Sequence, residues 1–423
     1  MKKLIVVSLF AMLGVFSARA YDFEVDGIYY NLIPGTDDQV EVTYYASSIP
    51  QYSGSVVIPS TVTYDGKNYA VACIGDYAFR DCCRLTSVTI PNGVTYIGEA
   101  AFRDCSGLTT VEWNAVACRD FLFYNDGKRL PFYGCENLTS ITFGNQVEHI
   151  PAYLCYEMDK LTSVTIPESV IEIGDCAFKG CSGLILVEWN AIKGYYANDY
   201  YGTYFEDHPF YGCENITSII FGEQVSRIPD CFLYQTSDKL TSITFPESVT
   251  YIGECALAAC RGLRSVTIGE GVTDIGARAF YNCIALLSVT SLAKLPPICH
   301  FNSYHSYYED VFSTSSEPTE YYQKLYVPRG SRSLYESAYE WHKFSKIEEI
   351  SDIPTANENS EADNIRVYAQ NRTIYLSEDK GAVQVYNMAG QCVYNGHSTA
   401  IPVWHSGVYV VRVGAYGYKV VVR

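Results

Sequence analysis

The chain has 423 residues, 48% of them hydrophobic and 18% charged, so a sizeable core is available and wholesale disorder is excluded. Its formal net charge is −17, and removing residues 1–20 with Lys2, Lys3 and Arg19 takes it to −20. Nucleic acid and bare anionic membrane select basic surfaces and are therefore excluded as main partners.

Residues 1–20 read as a signal peptide. Lys2 and Lys3 form its charged start, Leu4 to Phe16 its short apolar run, and Ala18-Arg19-Ala20 its small-residue cleavage site. The mature chain then begins at Tyr21, with no cysteine after the cut to carry a lipid. No later stretch is long and apolar enough for a transmembrane helix. The expected location is secreted, or at the outer-membrane surface. Residues 21–70 follow as a β-rich N-terminal cap, because Asp26-Gly27 and Asp65-Gly66 are hairpin-turn pairs between strand-like runs.

Residues 71–350 are repetitive, and the repeat decides the fold. Starts fall at Leu85, Leu108, Leu138, Leu161, Leu184, Ile216, Leu240, Leu263 and Leu286, spaced 23, 30, 23, 23, 32, 24, 23 and 23 apart. An earlier divergent copy spans Val56 to Arg84, so these are copies two to ten. Apolar residues hold positions 1, 4, 6, 10, 13, 17, 18 and 21; in copy five these are Leu161, Val164, Ile166, Val170, Ile173, Ala177, Phe178 and Cys181. Positions 3 to 6 alternate as a strand, Pro167 ends it, and Cys176 to Cys181 reads as one short helical turn. Such a unit cannot bury its apolar side alone. The expected fold is mainly β with short helical turns: a right-handed leucine-rich-repeat solenoid whose strands form a parallel sheet with a spacing of about 4.8 Å. Copies two to four and five to seven both run short, long, short. The long copies share Val-Glu-Trp-Asn-Ala (111–115 and 187–191) and Pro-Phe-Tyr-Gly-Cys-Glu-Asn (131–137 and 209–215), which indicates a duplicated three-copy block. At the far end Ser331 is expected to N-cap a short helix, with Tyr335, Ala338 and Trp341 as its apolar stripe.

The pattern LxxVxIPxxVxxIGxxAFxxCxxL resembles the BspA-like class of leucine-rich repeat in bacterial cell-surface proteins. Tyr21-Asp-Phe-Glu-Val-Asp-Gly-Ile-Tyr-Tyr30 is similar to that family's lead-in. Leu325-Tyr-Val-Pro-Arg-Gly-Ser331, with Trp341 and Phe344, is similar to its closing segment. The resemblance implies attachment to host matrix proteins or other cells.

Residues 351–364 are polar and aperiodic, and read as a linker. Residues 365–423 then alternate as five or six short strands, the pattern of a small antiparallel β-sandwich. Val385-Tyr-Asn-Met-Ala-Gly-Gln-Cys-Val393, Gly407-Val-Tyr-Val410 and Lys419 to Arg423 resemble a type IX secretion sorting domain. The resemblance implies export across the outer membrane. A retained structural end-cap is the alternative.

Sixteen cysteines in an exported chain suggest disulfides, but their placement opposes this. Seven share one repeat position (Cys82, Cys105, Cys135, Cys181, Cys213, Cys260, Cys283) and three another (Cys176, Cys231, Cys255), which marks buried core thiols. Some disulfides between adjacent copies remain open as an alternative. No HExxH, GxSxG, phosphate-loop or EF-hand pattern occurs, so no enzyme, cofactor or metal is expected.

Binding residues are sought at position 5 of the exposed strand face: Thr89, Glu112, Thr142, Thr165 and Glu188. Threonine there equally follows from strand propensity. The long copies also carry aromatic insertions, with Phe121, Phe123 and Tyr124 in one and Tyr195, Tyr196, Tyr200, Tyr201 and Tyr204 in the other. Insertions at one repeat position emerge on one side of a solenoid, so these form either a shared binding patch or a cover for the flank. The chain's 38 tyrosines suit an adhesive, soluble surface and equally a β-rich one. The expected partner is a protein or glycan on host or neighbouring cells, met by a monomer. A carbohydrate-binding surface protein and a purely structural one are the alternatives.

Overall fold

Neighbouring copies bond to each other along three extended sides, because each copy offers two short strands and one chain of turns. The computed structural model describes residues 20–45, 52–124, 127–192, 194–196, 207–236, 238–301, 310–314, 321–350, 367–370, 373–377, 382–387, 392–403, 407–413 and 416–422. Residues 1–19 of the expected signal peptide and the expected linker 351–364 lie outside them.

The first side is the expected strand. Gly54–Val57, Leu85–Ile90, Thr110–Trp113 and Ser140–Phe143 pair in parallel, with Val111 between Val88 and Ile141. Ser163–Ile166, Leu186–Trp189 and Ser218–Phe221 form the next group. Ser242–Thr244, Ser265–Ile268, Ser288–Ser291, Tyr321–Val327 and Phe344–Glu349 form the last. Positions 4 and 6 point inward. In copy five Leu161, Val164, Ile166, Val170, Ile173 and Phe178 are all at most 2% exposed. Each such side chain contributes roughly 1.5–3 kcal/mol by leaving water.

The second side is a ladder of two-residue strands at positions 12 and 13, such as Glu172–Ile173 between His149–Ile150 and Tyr195–Tyr196. The third is the turn region. Cys176 to Cys181 is a turn as expected, yet not a helical one. Its i to i−3 bonds, Lys179 N–H to Cys176 and Cys181 N–H to Phe178, are interrupted because Cys176 stands at φ 55° and Gly180 at φ 75°. That left-handed step turns alternate N–H groups outward to the next copy. Tyr153, Cys155 and Glu157 donate to the carbonyls of Asp175, Ala177 and Lys179. Inside this side Phe79 stacks on Phe102 at 4.7 Å and Phe102 on Phe132 at 4.9 Å, and Phe178 stacks on Phe210 at 5.2 Å.

The N-terminal hairpins form as the sequence indicates. Phe23–Val25 turns into Ile28–Leu32 through Asp26 (φ 51°) and Gly27 (φ 78°). Thr61–Tyr64 turns into Lys67–Ile74 through Asp65 (φ 48°) and Gly66 (φ 75°). Lys67–Ile74 also pairs in parallel with Tyr96–Ile97, so the cap extends the second ladder. At the other end Tyr335, on the helix Arg332–Ser337, meets Trp341 edge-on at 5.1 Å, and both are fully buried. Ser331 departs from expectation: its side chain makes no cap hydrogen bond, and the residue is itself buried with helical angles (φ −98°, ψ −10°). The closing cap instead hangs from buried side chains. Tyr335 Oη donates to the Ala293 carbonyl (2.6 Å) and Trp341 Nε1 to that of Pro297 (2.8 Å).

The C-terminal region has seven described strands in two antiparallel sheets, more than the five or six read from sequence. Val367–Gln370, Thr373–Leu376 and Ala400–Pro402 form one sheet; Cys392–Gly396, Val383–Asn387, Gly407–Val413 and Tyr416–Val422 form the other. Between them Ile374 and Ile401 meet Val385 and Val411 in a separate apolar cluster, as in a β-sandwich.

Candidate functional site

Position 5 lies on the outer face of the first sheet, and the structure couples its residues between copies. The Thr89 hydroxyl donates to Glu112 Oε2 at 3.0 Å, and Thr165 makes the same bond to Glu188 at 2.9 Å. Asn114 Nδ2 donates to the other Glu112 oxygen at 3.3 Å. Register places Thr142 beyond Glu112. The five residues thus form two equivalent Thr–Glu pairs and one further threonine on one face. Each glutamate is held extended and keeps acceptor capacity toward solvent.

The insertions divide differently from the sequence reading. Phe121 is buried, edge-on to Trp113 at 6.4 Å, and is no contact residue. An indole in the core beneath it gives its ring a better place than water. Phe123 is 38% exposed and lies 5.1 Å from the Tyr153 ring and 5.3 Å from that of Tyr156. Tyr124 is also exposed, with the Arg129 guanidinium 5.4 Å over its ring. Tyr195–Tyr196 forms the two-residue strand beside Glu172–Ile173. Tyr200, Tyr201 and Tyr204 lie outside the described residues.

Phe123 leads to a feature the sequence reading missed. On the turn side, no backbone hydrogen bond among the described residues joins residues 130–135 to 151–158, or 208–213 to 229–236. The stack opens there into clefts of about 510 Å³ and about 450 Å³. Pro131 and Pro209 supply the physical reason. The other copies put a left-handed residue at position 16, such as Ala100, Tyr153 or Cys231. In copies three and six that place is taken by Leu130 and His208, each followed by proline, and neither has positive φ. Proline pushes the residue before it out of the helical regions of backbone space, so the left-handed, outward-donating step is lost. The Phe column is also interrupted here, with Cys155 and Leu233 at position 18. The motif Pro-Phe-Tyr-Gly-Cys-Glu-Asn is visible in the sequence, but its backbone consequence is not.

The larger cleft is lined by Tyr133, Tyr153 and Tyr156 with Glu136, Glu157 and Asp159. Its one lining ammonium, Lys160, donates to the Asn137 amide oxygen. Burial pushes the Tyr156 phenol up to about 12, helped by a hydrogen bond to Glu157 and by that carboxylate's charge. Burial, then the Cys176 sulfur hydrogen-bonded beside it, then the charges of Asp207 and Asp175, raise Tyr153 as well. The cleft is therefore aromatic and rich in carboxyl groups, which outnumber its one ammonium.

Nucleophilic chemistry has little support among the described residues. The fifteen cysteines whose side chains are described all stand as thiols outside any disulfide, and most are buried. Burial pushes the thiols of Cys155, Cys181 and Cys283 well up, the opposite of an activated thiolate. No group of three His, Cys, Asp or Glu among them is arranged to hold a metal ion, and no described helix is long and apolar enough to cross a membrane.

Comparison with known proteins agrees with the repeat geometry. A family profile described as a BspA type leucine rich repeat region, in six copies, matches residues 72–182 and 200–303. Among solved structures, a leucine-rich repeat protein from Bacteroides ovatus is 23% identical, covering 78% of this chain and 100% of that one with a TM-score of 0.30. A leucine rich cell surface protein from Faecalibacterium prausnitzii is 20% identical, covering 64% and 94% with a TM-score of 0.24. A leucine rich repeat protein of T. pallidum is 20% identical, covering 63% and 90% with a TM-score of 0.33. No curated protein matches. At such TM-scores the solved structures add nothing to the assignment, which rests on the repeat match over half of the sequence. The chain belongs to the BspA-type leucine-rich-repeat family.

Proposed function

We propose that this chain is a secreted or outer-membrane surface protein that binds a protein on host or neighbouring cells, and catalyses nothing. The observation that carries the reading is the pair of equivalent outward-facing motifs, Thr89 with Glu112 and Thr165 with Glu188, on the outer faces of two successive strand groups of the repeat array. A solenoid supports such a face along its length, and ionised acceptors fixed in place give it specificity. Export through the signal-like segment 1–20, and through a sorting role of the separately cored sandwich 367–422, belongs to the same reading.

The test is capture from host-matrix and mucosal extracts on immobilised chain lacking residues 1–20. The native chain should retain a defined protein, and Glu112→Ala with Glu188→Ala should lose it without loss of folding. Equal retention by that variant would refute the face. A carbohydrate ligand is the second reading, favoured by the tyrosine-rich insertion at 195–204. Glycan-array binding that disappears when Tyr195, Tyr200 and Tyr204 are replaced would establish it instead. Deleting residues 365–423 should leave the protein inside the outer membrane if the sandwich is a sorting domain.

A further inference from the structure

Position 19 of the turn side supplies its own cation to a tyrosine in several copies. The Arg80 guanidinium lies over Tyr77 at 5.6 Å, Arg103 over Tyr133 at 5.7 Å, and the Lys179 ammonium over Tyr211 at 5.2 Å. In copy four position 19 is Tyr156 itself. Among the described residues no cation sits over Tyr156 or Tyr153.

Tyrosine also holds position 19 in copies three, six, seven and nine (Tyr133, Tyr211, Tyr234, Tyr281); of the two that line the larger opening, Tyr133 has Arg103 over its ring and Tyr156 does not. Tyr153 and Tyr156 line the cleft of about 510 Å³ together with Glu136, Glu157 and Asp159. Of the charges nearby, Asp104 is already ion-paired to Arg103 at 3.0 Å, and Lys160 is engaged with Asn137. Four carboxyl groups, those of Asp104, Glu136, Glu157 and Asp159, thus line the space against the single ammonium of Lys160, on a chain of net charge −17.

We propose that this cleft receives a basic side chain, arginine or lysine, of a protein partner, with its cation over the Tyr153 and Tyr156 rings and the carboxylates of Glu136, Glu157 and Asp159 around it. A partly desolvated cation gains from the ring face and from the carboxylates together. The equivalent gap after copy six does not fit this ligand, because Lys239 and Arg261 already stand beside Glu214 and Asp238 there. The inference rests on the reading of the chain as an interaction protein, and names the chemistry one of its sites takes.

Calorimetric titration of the chain lacking residues 1–20 with blocked Gly/Ser hexapeptides tests it. The peptides carry two Arg, two Gln or two Glu. The Arg peptide is expected to bind, more weakly as salt is raised, and the others not. Tyr156→Arg restores the column's own cation and should weaken Arg-peptide binding about tenfold, whereas Tyr156→Phe keeps the ring and should stay within about twofold. Glu157→Gln should weaken it several-fold. Unchanged thermal melting of each variant separates loss of binding from loss of fold. Binding of the Arg peptide that survives Tyr156→Arg, or equal binding of the Gln peptide, overturns the proposal. If no peptide binds while a host protein is still retained, the cleft inference falls and the interaction reading stands.

Discussion

The thiol of Cys181 donates to the carbonyl oxygen of Cys155, one copy back, at 2.9 Å. The same bond runs from Cys105 to Phe79 (3.0 Å), Cys213 to Phe178 (3.1 Å), Cys260 to Leu233 (3.1 Å) and Cys283 to Leu257 (3.2 Å). The cysteine column thus ties adjacent turns together with weak donors, which explains why a small, buried residue that still carries a hydrogen recurs there. Cys181→Ala removes the donor and leaves a small void, so it should cost about 1–2 kcal/mol in thermal or denaturant unfolding. A cost near zero would show that the column is only a matter of size.

Accessibility of the thiols gives a second expectation. Of the described cysteines only Cys83 is exposed. Maleimide labelling of the folded chain followed by peptide mapping should modify Cys83 first among these fifteen, with the buried column labelled only after unfolding. Rapid labelling of Cys181 or Cys283 in the native state would contradict the packing described here.

Close approach to the preceding copy leaves no room for a Cβ at Gly183 or Gly262. A Cβ on Gly183 would stand 2.0 Å from the Asp159 carbonyl oxygen, and one on Gly262 1.8 Å from that of Asp238. The obstacle is backbone, so it cannot swing aside. Gly183→Ala should destabilise the stack by about 1–3 kcal/mol, read as a lower unfolding midpoint. Gly35→Ala has open space around its Cβ but a φ of 84°, and should show the smaller cost of strain alone.

The pH dependence of stability should reflect His149, held between Asp120 (2.9 Å) and Glu172 (3.7 Å). Burial lowers its pKa, but the hydrogen bond and charge of Asp120, with the charge of Glu172, outweigh burial and raise it above the usual histidine value. A raised folded pKa favours the protonated ring in the native state. Its stabilisation is complete below about pH 6.5, where the unfolded histidine is also protonated, and is lost as pH rises through the folded value. Asp120 is lowered by the same contact despite its burial, so its contribution is present at neutral pH and is lost as pH falls through its depressed value. The melting midpoint of the native chain should fall more steeply above about pH 6.5 than that of His149→Gln. Parallel profiles would remove His149 from the account.

The closing cap depends on one buried carboxylate. Glu340 is 2% exposed, accepts from the Tyr321 hydroxyl and from Val311 N–H (3.2 Å), and pairs with Lys343 (2.9 Å), which also reaches Asp310 (2.6 Å). Removing it leaves a half-buried ammonium and two donors short of an acceptor. Glu340→Ala should therefore cost about 3–5 kcal/mol and speed hydrogen exchange in residues 321–349 ahead of the rest of the array. Uniform exchange along the chain would mean that the cap does not hold the last copies.

The core columns and both N-terminal hairpin turns were legible in the sequence, because periodic burial and a turn pair such as Asp26-Gly27 are local signals. What escaped depends on partners distant in the chain. Phe121 looked like a loop aromatic until Trp113 was seen beneath it. Ser331 had the right identity for a cap but sits buried under the closing segment. The cleft was missed because Pro131 and Pro209 act by withholding hydrogen bonds from the next copy, and a repeat alignment records residues rather than bonds. In the C-terminal region the weakly alternating Cys392–Gly396 and Ala400–Pro402 gain their strand character from neighbours they pair with. The outer-face threonines were legible as exposed, whereas their bonds to Glu112 and Glu188 required the register.

Copies four and seven each belong to two neighbourhoods. Among the described residues the strand Ser140–Phe143 pairs only backward, to Thr110–Trp113, while the backbone of the turn at 153–157 bonds only forward, to 175–179. Ser218–Phe221 and the turn at 231–235 repeat this arrangement. The second ladder alone is continuous there, through Glu148 N–H to Val116 and Ser226 N–H to Ile192. Under tension along its axis the array would not yield one copy at a time. It would part at these two oblique seams, and its mechanical unit is the three-copy block rather than the single repeat.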